Sequence, residues 1–407
     1  MQRGFLSQYF EGVAFKRLSA VEVNASVSHQ HEFNGSRPLR TLLGDERKTY
    51  VARFLWMAGE NEGITSEGKL TWYDARENHP TRTEYRLYFS SNDVVDQARE
   101  GDLLIIAKRP DDEMYMIVVS AESTLENQLL WLFGIERIEF SFNFLPIEDG
   151  HDPEVDYVVR CILEELGIEI EEPETDYLDT VLEPYLNTGF PSTIEFSALT
   201  RSTLKDISPI EEPDKTLIKW IEYEEKLFKR LERHMIAGRL EEGFNAEGNT
   251  DVEGFIKFSL SVHNRRKSRV GFALENHLEE IFKLNEVNYS RTQVTENKSR
   301  PDFIFPGICH YHDLNFPTSK LTMLGVKSTC KDRWRQVLAE AVRIRTKHLF
   351  TLEPGISENQ TDEMRVNNLQ LILPQSLHET YKPQQRNWLM DIKSFIILLR
   401  EKQNNIT

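Results

Sequence analysis

The chain has little cysteine, no long apolar run and no excess of basic charge. Its three cysteines, Cys161, Cys309 and Cys330, stand far apart in no paired spacing. That excludes a disulfide framework and a four-cysteine zinc site, and it fits a reducing compartment. Cys309-His310-Tyr311-His312 has the look of a metal pair, but no second pair follows at zinc-finger spacing. No apolar stretch approaches the roughly 18 residues a membrane helix needs. The N-terminal Met1-Gln-Arg-Gly-Phe-Leu-Ser-Gln carries no apolar signal core. The expectation is a cytoplasmic protein with no membrane partner. Lys and Arg number 49 against 66 Asp and Glu, a formal charge of -17. Such a balance opposes indiscriminate polyanion binding, although a basic cleft on an acidic protein still steers phosphates. P-loop and dinucleotide glycine motifs are missing, as is a Gly-x-Ser-x-Gly elbow, so nothing points to energy coupling, redox chemistry or serine hydrolysis.

What is present is an ordinary globular composition, 39% hydrophobic and 28% charged over 407 residues. At about 150 residues per domain this predicts two or three domains. The acid is concentrated between Glu148 and Pro184, with fourteen Asp or Glu against the single basic Arg160. We read this run as a solvated boundary; a decoy that holds off polyanions is the sharper alternative. The predicted division is residues 1–175, a linker and connecting helix over 176–211, and a second domain over 212–407. Before the boundary, short β-like patterns cover Thr49–Trp56, Lys69–Tyr73, Glu84–Phe89, Leu103–Ala107, Tyr115–Ser120 and Ile138–Phe142. They predict a mainly-β barrel or pseudobarrel. After it, helices are predicted at Leu217–Ala237, Val252–Val262, Phe272–Phe282, Asp332–Lys347 and Arg386–Arg400. Strands are predicted near Tyr289–Val294, Asp302–Phe305, Leu321–Lys327, His348–Leu352 and Leu369–Leu373. Helices flanking a mixed sheet make an α/β domain.

Chemistry concentrates in that second half. Pro301-Asp302-Phe303-Ile304-Phe305 is followed by Leu324-Gly325-Val326-Lys327, a carboxylate opening one strand and a lysine ending the next. This is the layout of PD-(D/E)xK nucleases. A hard cation such as Mg²⁺ needs oxygen ligands, and a lysine beside it would orient water and offset phosphate charge. The acid usual two residues before the lysine is replaced by Gly325, so a second carboxylate must come from elsewhere. Glu275 sits at the edge of the apolar face made by Leu274, Leu278, Ile281 and Phe282; a carboxylate there is costly unless paired or metal-bound. A solvated surface glutamate is the competing reading. From Lys327 to Phe350 there are seven Lys or Arg and two acids. Lys331, Asp332, Arg333 and Arg335 open the helix there, with Thr329 and Asp332 close to a capping box. Arg to guanine and Asp to the cytosine amino group are familiar major-groove pairings; a solvated basic face is the alternative. The cluster Arg265, Arg266, Lys267 and Arg269 reads as a phosphate-contacting loop or a charged connector.

Several of these segments together resemble the EcoRII-type restriction endonucleases. They are Ser261-Val-His-Asn-Arg-Arg-Lys-Ser-Arg269, Leu274-Glu275-Asn-His277-Leu278, Pro301-Asp302-Phe303, Val326-Lys-Ser-Thr-Cys-Lys-Asp-Arg-Trp-Arg-Gln336 and His348-Leu-Phe-Thr-Leu-Glu-Pro-Gly-Ile-Ser357. The resemblance spans most of residues 212 to 400. It implies a restriction-endonuclease-like PD-(D/E)xK fold with catalytic residues at Glu275, Asp302, Lys327 and Lys331, the first two holding Mg²⁺. Asp332, Arg333 and Arg335 would read G·C pairs in a target related to CCWGG. A weaker likeness covers Lys16-Arg-Leu-Ser-Ala20, Ser28-His-Gln30, Tyr73-Asp-Ala-Arg76 and Thr81-Arg-Thr-Glu84-Tyr-Arg86. It implies an effector domain resembling the DNA-binding pseudobarrel of plant auxin-response factors, with contacts falling on Lys16, His29, Asn34, Arg82, Glu84 and Arg86. On the residues alone, Arg82, Glu84 and Arg86 alternate along a strand, which suits edge reading or a cross-strand ion-pair ladder. The resemblance further implies a bacterial, effector-activated, autoinhibited homodimer that cuts both strands of double-stranded DNA, with a cognate DNA methyltransferase as functional partner. A DNA-binding regulator with an inactive nuclease fold, or a structure-specific repair nuclease, stays open as an alternative.

Overall fold

A computed structural model describes residues 6–23, 31–57, 63–147, 156–168, 170, 176–246 and 249–404. The chain divides into two compact units. The first comprises Met1–Ile170 with residues 354–361 and 379–383; the second comprises the remainder of 171–407. No described helix is long and apolar enough to cross a membrane.

The first unit is mainly β. Its strands are β1 (Gly12–Arg17), β2 (Glu32–Asn34), β3 (Lys48–Met57), β4 (Ile64–Asp74), β5 (Tyr85–Phe89), β6 (Leu103–Lys108), β7 (Met114–Val119) and β8 (Asn143–Pro146). Between them lie short helices α1 (Ala20–Val23), α2 (Arg37–Leu43), α3 (Asp93–Gln97) and α4 (Thr124–Phe133), and α5 (Asp156–Glu165) follows. The strands form one sheet in the order β2-β5-β4-β3-β7-β6-β1-β8, antiparallel except at β3·β7. Strand β3 shows why: Tyr50, Ala52 and Phe54 alternate inward while Thr49, Val51 and Arg53 face out. Strands β6 and β7 are buried almost throughout and read as continuous apolar runs. Phe33 of β2 and Phe142, just before β8, meet edge-to-face at 5.7 Å. Side chains from both ends of the sheet therefore share one core with Trp72, Leu87 and Ile106. The last predicted strand, Ile138–Phe142, lies one step early: its neighbours Asn143–Pro146 make the ladder to β1 instead. The short strands β1 and β2 were not expected from the sequence.

The second unit opens with α6 (Asp176–Leu182), α7 (Thr193–Thr203) and α8 (Pro213–Glu242). Leu178, Leu182 and Phe196 of the first two join Tyr223, Leu227, Phe228 and Leu231 of α8 in one apolar cluster. A two-residue ladder, β9 (Asn245–Ala246) with β10 (Asn249–Thr250), leads into α9 (Val252–Leu284). Then follow β11 (Ser290–Arg291), β12 (Phe303–Phe305), α10 (Ile308–His312), β13 (Thr322–Lys327), α11 (Trp334–Leu338), β14 (Lys347–Thr351), α12 (Glu358–Val366), β15 (Leu369–Ile372), α13 (Pro383–Arg386) and α14 (Ile392–Asn404). The five strands β11–β15 are ordered as in the sequence, antiparallel from β11 to β13 and parallel from β13 to β15. Helix α9 crosses this sheet through Phe282, whose ring meets Phe303 and Phe305 at 5.3 Å each and Phe395 of α14 at 6.2 Å.

Three sequence expectations are corrected here. The basic run 264–269 is not a loop between two helices: α9 runs unbroken for 33 residues from its Asp251 cap, which accepts the Gly254 N–H at 2.8 Å. The run contains no proline, and its Arg266 and Arg269 are paired with Glu232 and Glu224 of α8. The predicted helix Asp332–Lys347 shrinks to a 3₁₀ turn at Lys331–Arg333 and α11. Ala341 turns the chain with φ 47°, and the Lys347 ammonium donates to the carbonyls of Glu340, Ala341 (3.2 Å) and Ile344 (3.1 Å). These bonds fix the turn that follows α11. The predicted helix Arg386–Arg400 likewise divides into α13 and α14.

Helices α7, α8 and α9 are joined by buried charge. Glu224 of α8 accepts Arg269 of α9 at 2.7 Å and faces His277 Nε2 at 2.9 Å. Arg269 also lies over the rings of Phe196 and Phe228, at 4.1 and 4.4 Å. Burial pushes the Glu224 carboxyl up, but His277 and Arg269 outweigh it and hold it below the usual range. Burial lowers His277, so the imidazole stays neutral and the ion pair is Glu224 with Arg269. Replacing Glu224 by Gln strands the arginine charge in the core. The expected loss is about 3–5 kcal/mol of stability, measured by chemical denaturation; a loss under about 1 kcal/mol would refute this role.

Candidate active site

The site is built where α9, β12 and β13 converge. Asp302 immediately precedes β12, and Lys327 ends β13, its antiparallel neighbour. Asp302 Oδ2 accepts the Val326 N–H at 2.6 Å and the Lys327 ammonium at 3.2 Å. The first of these bonds fixes the carboxylate to the backbone of the neighbouring strand; the second brings the lysine to it. Position 325 between them is glycine for a packing reason: a Cβ there would stand 2.8 Å from a Val337 methyl of α11. Any larger side chain there would force the Val337 side chain to shift.

Carboxylates arrive from two other elements instead. Glu275 of α9 is mostly buried. Burial and then Asp302 push its carboxyl above the usual range, while Arg291 and Lys327 draw it back. Arg291 Nη2 donates to Glu275 Oε2 at 3.0 Å. The second carboxylate is Glu340, two residues beyond α11, which the sequence reading did not single out. Burial and Asp302 raise its carboxyl too, opposed by Lys327 and Lys347. Its Oε2 is buried without a hydrogen-bond partner. The available signal was slight: Glu340 is one of only two acids among the basic residues from Lys327 to Phe350.

Three acids in electrostatic contact, one with an orphaned buried oxygen, suit a hard divalent cation with oxygen ligands. Among the described residues no three acidic, His or Cys side chains form a ready-made cage. A hard cation such as Mg²⁺ keeps waters of its own and needs only one or two carboxylates from the protein. Glu275, Asp302 and Glu340 are the residues that would hold it.

The other predicted residues distribute as follows. Lys331 opens the 3₁₀ turn with φ 32°, and no hydrogen bond among the described residues joins it to Asp302 or Glu275. Asp332 and Arg333 complete that turn, whose start is held by Glu353 accepting the Cys330 N–H. Arg335 forks onto Glu363 at 3.1 and 2.8 Å and covers the Trp334 ring. In the basic cluster, Lys267 is exposed, Arg265 lies over Phe190 at 4.6 Å and Arg266 pairs with Glu232 at 2.6 Å. Arg269 is buried in the ion pair with Glu224 and is not free to meet a phosphate.

In the first unit, Lys16 is buried on β1 and paired with Glu22 at 2.6 Å. His29 lies outside the described residues. Asn34 of β2 stands opposite Arg86 of β5. Glu84 accepts from Arg76 at 2.5 Å and from Arg86, and these two arginines hold its carboxyl below the usual range. Arg82 and Glu84 precede β5 rather than lying within it, so the expected alternation along one strand is replaced by a loop-and-strand cluster. A cavity of about 810 Å³ beside it is lined by Asn34, Ser36, Arg37, Arg40, Glu84 and Tyr85, among others.

If Glu340 belongs to the cation site, Glu340→Ala should weaken Ca²⁺ binding by about 10–100-fold, read by titration calorimetry. Unchanged affinity would remove it from the site.

Known proteins bear on this geometry. Residues 228–396 match the family model described as EcoRII C terminal. The type II restriction enzyme EcoRII of Escherichia coli is 42% identical over 186 residues, which are 46% of this chain and 45% of that enzyme. The match therefore spans less than half the length of this relative. Two solved structures resemble the chain more distantly. Metal-depleted Ecl18kI with uncleaved, modified DNA is 17% identical with a TM-score of 0.45, over 58% of this chain and 88% of that one. A PspGI–substrate DNA complex is 15% identical with a TM-score of 0.45, over 54% and 96%. The residues Glu275, Asp302, Lys327 and Glu340 thus all lie within the segment that is similar to the EcoRII C-terminal family model.

Proposed function

We propose that this protein is a type II restriction endonuclease, hydrolysing phosphodiester bonds in double-stranded DNA with Mg²⁺. The observation that carries the reading is the Asp302–Lys327 pair on adjacent strands, flanked by Glu275 and Glu340, inside a segment matching the EcoRII C-terminal model. A decayed nuclease fold would be expected to have lost a member of the implied set, and Glu275, Asp302 and Lys327 are all present.

Bound Mg²⁺ would supply charge neutralisation at the scissile phosphate and lower the pKa of the attacking water. Asp302, with Glu275 and Glu340, would hold the cation. The Lys327 ammonium, held beside Asp302, orients the water and holds a phosphate oxygen. Water attacks phosphorus and loses a proton to solvent, the bond to the 3′-oxygen breaks, that oxygen takes up a proton from solvent, and the product carries a 5′-phosphate. Lys331 supports the phosphate or reads a base. Asp332, Arg333 and Arg335 read G·C pairs of a pseudopalindrome related to CCWGG, which requires Arg335 to leave Glu363. Lys267 and Arg266, on the accessible face of the basic cluster, contact phosphates.

The domain reading belongs to the same proposal: an effector domain over residues 1–175, a linker and connecting helix over 176–211, and a catalytic domain over 212–407. The first is a pseudobarrel that binds a second copy of the site through Lys16, Asn34, Arg82, Glu84 and Arg86, and through His29. Effector binding relieves an inhibition of cleavage exerted by that domain. The enzyme acts as a bacterial cytoplasmic homodimer, since a two-fold dimer matches a palindromic site. A methyltransferase of the same specificity protects host DNA.

The test is a digest of plasmids carrying none, one or several CCWGG sites, in Mg²⁺ and in EDTA, with wild type and Asp302→Ala. We expect discrete fragments from multi-site plasmids, lost in EDTA and reduced by about 10²–10⁴-fold or more in the variant. The one-site plasmid should be cut slowly and rescued by a site-bearing oligonucleotide. Discrete cutting elsewhere would keep the enzyme class and discard the target. Cutting that follows branch structure would favour a repair nuclease, and no Mg²⁺-dependent cutting would favour a DNA-binding regulator.

A further inference from the structure

We propose that Arg291 is the positioning residue of the cation site: its guanidinium fixes one oxygen of Glu275 and leaves the other for the metal. The inference rests on the metal-dependent reading above and names a part that neither the sequence motif nor the family likeness assigned.

Arg291 is the second residue of β11 and pairs across the ladder with Phe303 of β12. The next residue, Thr292, donates its N–H to the Asp302 carbonyl at 3.0 Å. Arg291 is therefore tied by backbone to the strand that presents Asp302. From there it reaches α9 at three points. It donates to Glu275 Oε2 at 3.0 Å, to Asn276 Oδ1 at 2.9 Å and to Glu279 Oε2 at 2.5 Å. Glu279 is itself held at its other oxygen by the Tyr289 hydroxyl at 3.1 Å, and Asn276 Nδ2 donates to Ser197 Oγ at 3.3 Å.

The guanidinium is thus over-determined. Two acceptors besides Glu275 fix it, each braced by a further side chain, so Glu275 must conform to Arg291 rather than the reverse. A structural ion pair would need Glu279 alone. The extra donor to Glu275 sets a carboxylate that burial and Asp302 both drive toward the neutral form. Among the described residues Glu275 Oε1 accepts no hydrogen bond, so one oxygen is spoken for and one is open. Only the planar, forked guanidinium spans acceptors on successive helical turns; lysine carries the charge without the fork.

The rival physical account is competition: Arg291 would occupy the place of the metal's charge and have to release Glu275 on binding. The two accounts predict opposite signs. The experiment is Ca²⁺ titration calorimetry on the full chain, comparing wild type with Arg291→Met, Arg291→Lys and Glu279→Gln. Binding of a site-bearing oligonucleotide in EDTA serves as the fold control. Positioning predicts about tenfold or greater loss of Ca²⁺ affinity in Arg291→Met, partial recovery in Arg291→Lys, and metal-free oligonucleotide binding unchanged in both. Should Arg291→Met fail to fold, Glu279→Gln decides, since loosening the anchor should still weaken Ca²⁺ binding several-fold. Equal or tighter Ca²⁺ binding in these variants overturns the inference while leaving the metal reading intact. No Ca²⁺ binding by wild type overturns the metal reading, and this inference falls with it.

Discussion

The constraint on which the second unit depends is the cost of placing several carboxylates together in a half-buried space. Asp302 is satisfied by the Val326 N–H and the Lys327 ammonium. Glu275 and Glu340 are not fully compensated, and both are pushed toward the neutral form by burial and by Asp302. Such a cluster is unstable unless cations face it or a ligand cation completes it. Lys327, Arg291 and Lys347 supply the fixed positive charge, each from a different strand of the five-stranded sheet. The sheet order therefore does more than build a core: it sets the cations against acids carried by α9, by the approach to β12 and by the turn after α11.

The rest of the unit answers to the same demand. Helix α9 must hold Glu275 over the sheet, and it is held at both ends of that stretch. Phe282 anchors it among Phe303, Phe305 and Phe395, and the buried Glu224–Arg269 pair locks it to α8. Breaking a buried pair is far more damaging than the pair is stabilising, so this lock acts chiefly on alignment. Lys347 does comparable work for Glu340. By binding the carbonyls of residues 340, 341 and 344 it fixes the turn that carries the acid.

Much of this was legible in the sequence where local pattern and tertiary packing agree. The strands β12 to β15, the helix over Glu275 and the Asp302–Lys327 pair follow from apolar periodicity and strand punctuation. Three features were hidden for physical reasons. Basic residues at 264–269 look like a solvated loop because their partners, Glu224, Glu232, Phe190 and Phe196, are distant in sequence. Glu340 lies in what reads as a helix, since nothing local announces that Lys347 will take its carbonyl. Arg291 lies within the strand predicted near Tyr289–Val294, but its acceptors on α9, 12 to 16 residues earlier, have no local signal. Gly325 is the converse case: the missing acid was plain in the sequence, but its cause, the approach of Val337, needed the fold. In the first unit the long strands were readable, whereas β1 and β2, which bring Lys16 and Asn34 into place, were not.

The central proposal is that Asp302, with Glu275 or Glu340, holds one divalent cation in each chain. Its most direct measurement is anomalous diffraction at the manganese edge from crystals equilibrated with Mn²⁺. One strong peak per chain is expected within bonding distance of Asp302 and of Glu275 or Glu340, with Arg291 still on Glu275. A peak elsewhere, or none at this cluster in a crystal that binds Mn²⁺ at other positions, would contradict it.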